Sequence, residues 1–333
     1  MGKRRSTIAD VARAAGVSIM TVSRAVNGRP GVGDGTRDKV RSIAEALGYR
    51  PDRRASALAS RSSTALGIVF PDMANPFFAI LAKAATDTAR ARGLNVFVMN
   101  TDESPTRELS AFASLHEERI EGIIVAGSRL SPSKLGPALE AFADVVLVNN
   151  STTGPNIANV DVDDRSGMIQ AVTHLLAKGC TRIAFAAGPR VSVSAQRRLA
   201  GYRTALVGGG LAFDRRRVVK CTPDIEGGRR AAAAILELDP DVDAIIAYND
   251  ITAIGVMRGL ADAGRRIPED VAVIGTDDIP YAALVRPSLS TLRVDIPLLG
   301  HTAMSVLLAL RDGTPLAPMA ALEPELVVRE SSG

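Results

Sequence analysis

The chain contains no tryptophan, and aromatic residues make up only 4% of it. Large stacking platforms for single-stranded nucleic acid are therefore not expected. Cysteine is equally scarce. Cys180 and Cys221 are the only two, too few for a disulfide framework or a structural zinc site, and such usage suits a reducing compartment. Three histidines, His116, His174 and His301, lie far apart in sequence. No apolar run approaches the roughly 18 residues a membrane span needs. The basic N-terminus is not followed by an apolar stretch, so it does not read as a secretory signal. A cytoplasmic protein is expected. Neither a G-x-S-x-G elbow nor an H-E-x-x-H motif occurs. The paired acids Asp163-Asp164 and Asp277-Asp278 lie at loops or helix starts, where acids are favoured anyway. No catalysis, metal or cofactor is expected.

What is present is a chain of 333 residues, 46% hydrophobic and 23% charged, enough for two or three folded domains. Its net charge of +4 is unevenly spread. Residues 1–61 hold 13 Lys and Arg against 5 Asp and Glu, a net of +8, and the remainder is net −4. A basic head on a mildly acidic body is the footprint of a nucleic-acid binder; by charge alone it could equally be a solvated arm.

The head reads as three short helices. Thr7 precedes Ile8, Val11, Ala12 and Ala15, an i, i+3, i+4, i+7 pattern. Thr7 with Asp10 forms a variant capping box, and Gly16 stops the helix. Ser18 caps a second helix from Ile19 to about Val26, ended by Asn27-Gly28. The intervening turn has the length of a helix-turn-helix connection. Thr36 caps a third helix carrying Val40, Ile43, Ala44 and Leu47, which stops at Gly48. In the second helix Val22 and Val26 face the first. At about 100° per residue, Met20 and Arg24 fall about 160° and 200° from Val22, away from the core, with Ser23 beside them and Ile19 at the edge. A recognition helix has use for these: Arg24 for guanine O6 and N7, Ile19 and Met20 for thymine methyls. Thr21, Ser23 and Asn27 suit phosphate oxygens. The plainer alternative is a helical cap with scattered surface residues.

Pro51 sets off residues 52–61. Ala55, Ala57, Leu58 and Ala59 favour helix, but about ten residues do not hold a helix unaided. Beyond them, short apolar runs alternate with amphipathic stretches. Strands are expected at Leu66–Phe70, Val96–Met99, Gly122–Val125 and Val145–Val148, then at Arg182–Ala186, Val218–Lys220, Ala244–Ala247 and Val271–Ile274. The repetition implies two α/β lobes of parallel sheet, four strands each, with a helix from Ile296 to Leu310 returning to the first. Their ligand site lies at the carboxyl ends of the strands.

The run TIADVARAAGVSIMTVSRAVNG, Thr7 to Gly28, with Val40 to Leu47 and Gly48-Tyr49-Arg50-Pro51, resembles the headpiece of the lactose/galactose repressor (LacI/GalR) family. The runs PDMANPFF, AQRRLAGYRTAL, AYNDITAIG and PEDVAVIGTDDIP resemble the same family and its periplasmic sugar-binding relatives. The likeness covers essentially the whole chain. One stretch, GRPGVGDG from Gly28 to Gly35, is richer in glycine than the family pattern.

The resemblance implies an α/β protein: an all-α helix-turn-helix headpiece (1–50), a hinge helix or linker (51–61), and a two-lobed periplasmic-binding-protein-like core of parallel sheets for effector binding and dimerisation (62–333). It implies a homodimeric repressor on double-stranded, pseudo-palindromic operator DNA, gated by a small-molecule carbohydrate. Ile19, Met20 and Arg24 are then the base readers. Thr7, Ser18, Thr21, Ser23, Asn27 and Tyr49 join them on the DNA. In the hinge, Arg53, Arg54 and Arg61 hold phosphates and Leu58 is a minor-groove wedge; the alternative is an ordinary linker with Leu58 packed on the body. The implied effector set is Asp72, Phe78, Ser128, Asn149, Ser194, Arg198, Asn249 and Asp277. Asn249 could instead cap a helix, Asp277 hold a turn and Arg198 sit on a helix surface. Where purine-responsive members carry an aromatic, this chain has Pro223, which favours a sugar over a purine. A sugar-binding receptor without DNA control is the rival reading, and it leaves the basic head unexplained. The C-terminus, Glu325 to Gly333, lacks an apolar heptad, so no tetramer zipper is expected.

Overall fold

The computed structural model describes residues 6–26, 30–49 and 65–333. Asn27, Arg53, Arg54, Leu58, Arg61 and the whole 51–61 segment lie outside the described residues. The chain divides into two compact units, Met1–Thr64 and Ala65–Gly333.

The first unit contains α1 (Ile8–Ala15), α2 (Ile19–Val26) and α3 (Asp34–Ala46). Thr7 and Asp10 cap α1 reciprocally. The Thr7 N–H donates to the Asp10 carboxylate at 2.9 Å, and the Asp10 N–H donates to the Thr7 hydroxyl. Gly16, at φ 69°, takes the left-handed conformation that ends the helix without a Cβ penalty. Ser18 accepts the Thr21 N–H at 3.1 Å and so opens α2. Val11, Ala15, Val22, Ala25, Val40 and Ala44 form the buried core. Two expectations are corrected. The third helix begins at Asp34 rather than after Thr36, because extended Gly33 turns the chain and Asp34 pairs with Arg37 at 3.0 Å in the first turn. Leu47 is exposed, since Gly48 at φ 62° turns the chain there.

The second unit contains two lobes. The first is the sheet β2-β1-β3-β4-β5, all parallel: β1 (Ala65–Phe70), β2 (Asn95–Asn100), β3 (Gly122–Ala126), β4 (Asp144–Val148) and β5 (Ile157–Val160). The crossover helices are α4 (Pro76–Ala91), α5 (Pro105–Glu117) and α6 (Pro132–Leu139). The second is β11-β10-β9-β8-β6-β7, with β6 (Ile183–Ala187), β7 (Val218–Lys220), β8 (Ala244–Ala247), β9 (Ala272–Asp277), β10 (Ser290–Arg293) and β11 (Glu325–Val327). Only the β10–β11 pairing is antiparallel. Its helices are α7 (Asp164–Ala177), α8 (Val193–Gly208), α9 (Ile225–Leu238) and α10 (Asp250–Asp262).

All eight expected strands form, and three more, β5, β10 and β11, join the sheets. The last helix, α11 (Ile296–Arg311), returns to the first lobe, where Leu299, Ala303, Met304 and Leu307 join the core of Leu66, Ile68 and Leu81. Gly300 lets α11 approach α4, for a Cβ there would meet the Leu81 carbonyl at 2.4 Å. Three chain segments thus pass between the lobes, after β5, after β10 and after α11. The first and third are joined: Val162 bridges Leu322, and the Leu322 N–H donates to the Asp161 carbonyl at 2.8 Å. Among the described residues no helix is long and apolar enough to cross a membrane.

Candidate functional site

Strand ends from both lobes face one cleft, as open α/β sheets place their ligand-binding loops. From the first lobe come Asp72 and Phe78 after β1, Gly127 and Arg129 after β3, and Asn149 after β4. From the second come Ser192 and Ser194 after β6, Tyr248 and Asn249 after β8, and Asp277 at the end of β9, with Arg198 reaching in from α8. Seven of the eight expected effector residues therefore meet here.

Ser128 is the exception and a correction. It is buried behind the cleft, where its hydroxyl accepts the Leu130 N–H at 3.1 Å and bonds the Glu108 carboxylate. The loop turns its neighbour Arg129 into the cleft instead. Arg129 is 4% exposed. Its guanidinium grips Glu103 in a fork, at 2.8 Å through Nη2, and donates to the Gly127 carbonyl at 2.7 Å. Its N–H donates to Glu108 at 2.8 Å. Burial opposes the Arg129 charge, but Tyr248, Glu103 and Glu108 more than offset this and raise its pKa. Burial also raises the Glu108 pKa.

On the opposite wall Arg198 is the centre. Its Nε donates to Asp164 at 2.8 Å and its Nη1 to the Tyr248 carbonyl. The guanidinium lies 5.0 Å from the Tyr248 ring centroid and 3.8 Å from the Asp277 carboxylate. Burial works against its charge, yet Asp164 and Asp277 overcome that and raise its pKa. Arg198 is thus a fixed fork of donors, and the surface-helix alternative does not hold. Burial pushes the Asp277 carboxyl well above the ordinary range; Arg198 pulls it back, while Asp250 and Asp164 add repulsion.

Other groups keep a structural role beside their place in the cleft. Asn249 caps α10, accepting the Thr252 N–H at 2.8 Å. Asn149 accepts the Val162 N–H at 2.7 Å, and Asp72 accepts the Ala74 N–H at 2.8 Å. Phe78 stacks on Phe70 at 5.7 Å. Asn149, Asp277 and Glu103 have φ of 55°, 118° and 58°, conformations that persist in side-chain-bearing residues only where the surroundings over-determine them. The space left in the cleft is about 40 Å³, little more than one water's share of the liquid, about 30 Å³.

Asn75, Glu103, Arg129, Ser192 and Tyr248 also line the cleft without having been expected. Ser192 caps α8 and bonds the Tyr248 hydroxyl at 3.1 Å. Its position before an amphipathic helix was a usable signal; a single Arg or Tyr after a strand leaves none.

In the first unit α2 presents Ile19 and Met20, 53% and 63% exposed, with Arg24 also exposed, opposite buried Val22 and Ala25. The Arg24 guanidinium lies against Gly31. Thr21 is half-buried, its hydroxyl 2.9 Å from that of Ser18. Ser23 and Tyr49 are half-buried as well, and Thr7 is exposed.

Residues 7–52 match the family described as bacterial regulatory proteins, lacI family, and residues 63–309 match periplasmic binding proteins and the sugar binding domain of the LacI family. The chain is 34% identical over 327 residues to the HTH-type transcriptional regulator GalR of Escherichia coli (strain K12), covering 98% of this chain and 95% of that protein. It resembles the lac repressor dimer bound to operator and the anti-inducer ONPF, with a TM-score of 0.88 and 29% identity over 99% of each chain. A transcriptional regulator CelR–cellobiose complex is similar at a TM-score of 0.74 and 30% identity, over 98% of this chain and 100% of that one. With a helix-turn-helix head and a sugar-binding-type body, the chain belongs to the LacI family of DNA-binding transcriptional regulators.

Proposed function

We propose that this protein is a repressor that binds a pseudo-palindromic operator as a homodimer, and that a sugar or sugar derivative in the cleft sets its operator affinity. The carrying observation is the convergence of Arg198, Asp277, Asn149, Asn249 and Asp72 on one cleft between two sheets. They offer rigid donors and paired acceptors, the chemistry that hydroxyl groups require. Phe78 adds an apolar ring face.

Small-molecule pockets usually occupy about 300–1,000 Å³, far more than the cleft's about 40 Å³. A sugar enters when the lobes part on their three connecting segments. Binding is thereby tied to lobe orientation, and differential affinity for the two orientations is what an allosteric ligand needs. Ile19, Met20 and Arg24 read bases in this proposal, while Thr7, Ser18, Thr21, Ser23, Asn27 and Tyr49 contact the backbone. Residues 51–61 form a hinge whose Leu58 wedges the minor groove, with Arg53 and Arg54 on phosphates.

Dimerisation is supported by exposed apolar side chains on both lobes: Met73 and Phe97 on the first, Ile225, Tyr281 and Leu284 on the second. Ile225, Tyr281 and Leu284 share one surface groove, and exposed apolar surface of this kind favours a partner. The protein acts in the cytoplasm and catalyses nothing.

Fluorescence anisotropy on DNA from its own promoter, with and without a panel of sugars, tests the proposal. A sequence-selective complex that one sugar weakens is expected. Sugar binding without any sequence-selective complex would make it a receptor instead.

A further inference from the structure

The cleft continues into a second cavity of about 910 Å³. Asp72, Glu103, Arg129 and Pro223 line both spaces. Pro223 lies on the lining shared by the two spaces, and Gly188, which has no side chain, leaves room for the Tyr248 ring; a Cβ there would meet that ring at 2.5 Å.

The charges of the side cavity differ between the lobes. The first-lobe wall carries the acids Asp72, Asp102 and Glu103 with one cation, Arg129. Asp102 is paired with Arg107, Glu103 with Arg129, and Asp72 accepts a backbone N–H. The second-lobe wall carries Arg190, Lys220 and Arg230 against the single acid Asp224, which caps α9 through the Gly227 N–H. Arg230 reaches Glu226 at 3.5 Å. Among the described residues no carboxylate lies within ion-pair distance of Arg190 or Lys220. Two exposed cations without counter-charge thus face a cavity that opens from the ligand cleft, beside an apolar surface formed by Val191, Val219 and Ala231.

We infer that the effector is an anionic sugar derivative. Its ring lies in the cleft, and its phosphate ester or carboxylate reaches past Pro223 toward Arg190 and Lys220. This rests on the sugar-sensing reading above and adds the charge of the ligand to it. A fixed anion is recognised by such cations through charge-assisted bonds, and an ion pair at a cavity mouth weakens with salt.

Calorimetry on the full-length protein tests the inference with matched probes: glucose, galactose and cellobiose, the 6-phosphates of the two hexoses, and glucuronate and galacturonate. Inorganic phosphate is the control. At least one anionic sugar is expected to bind about tenfold more tightly than its neutral parent, the size of a hydrogen bond to a charged group, and the advantage shrinks in high salt. The phosphate and uronate arms say which anion it is. In the double variant Arg190→Gln/Lys220→Gln the advantage disappears while neutral-sugar affinity and operator binding persist.

Equal binding of neutral and anionic sugars overturns the inference and leaves sugar sensing standing, as does an anionic preference that survives the double variant. Binding of inorganic phosphate as tightly as any sugar phosphate overturns it too. If no sugar of either kind binds while the same samples retain operator DNA, the sensing reading fails with it.

Discussion

Arg198 holds Asp164 at 2.8 Å and leaves Asp277 at 3.8 Å. The nearer carboxylate neutralises and orients the guanidinium, so the farther one stays available to a ligand hydroxyl. Two acids around one cation thus stand differently: Asp164 fixes the fork, and Asp277 is the one proposed to meet the ligand.

Asp277→Ala should therefore abolish the ligand response and keep operator binding. Calorimetry reads the first and anisotropy the second. Normal ligand affinity in the variant would remove Asp277 from the contact set.

Arg24→Ala should weaken operator binding by about 1–3 kcal/mol and relax base preference at one position of each half-site. Competition between operator and scrambled DNA measures it. An equal loss on both would show that Arg24 holds phosphate rather than a base.

Arg129→Met should lower folding stability by about 1–3 kcal/mol, because it takes the guanidinium fork from Glu103 while the backbone N–H to Glu108 remains. The midpoint of urea unfolding reports this, and adding Glu103→Gln should recover part of the loss. A variant as stable as the parent would mean water already shares those charges.

Asp250 is fully buried, accepting from the Thr291 hydroxyl at 2.6 Å and the Ile279 N–H at 2.8 Å. Burial pushes its carboxyl up to about 7 against the pull of those two bonds, and Asp278 adds repulsion. An acid whose folded pKa exceeds its unfolded value of about 4 binds more protons folded than unfolded between the two. Its contribution to stability therefore falls as pH rises from about 4 to about 7. Asp250→Asn cannot titrate, so its stability should fall less with pH than the parent's, by up to about 1.4 kcal/mol per pH unit. Urea unfolding across that window compares the slopes, and parallel curves would show that Asp250 does not titrate there.

Architecture was legible where periodicity ran long. The eight expected strands sit in apolar runs between helical stretches, and α11 reads as one amphipathic block. The strands that escaped are β5, β10 and β11, three or four residues each, and unlike the equally short apolar run of β8 they mix polar with apolar residues. Their pairing is decided by neighbours distant in sequence. The same holds in the cleft. Residues within recognisable runs, such as Asp72 and Asp277 at strand ends and Arg198 on α8, could be placed there. Arg129 could not, because its role depends on Glu103 and Glu108, whose carboxylates converge only after folding. Ser128 was displaced by one position for that reason. In the head Gly33 began the helix that Thr36 was expected to cap, since a glycine turn leaves no side-chain signature.

The lacing of Val162 to Leu322 welds two of the three inter-lobe struts into a single ribbon, with Val294-Asp295 as the other support. Two supports, rather than three independent ones, therefore join the lobes. Strand β1 runs from Ala65 to the cleft edge at Phe70. The cleft edge and the body's first residue are therefore the two ends of one buried rod.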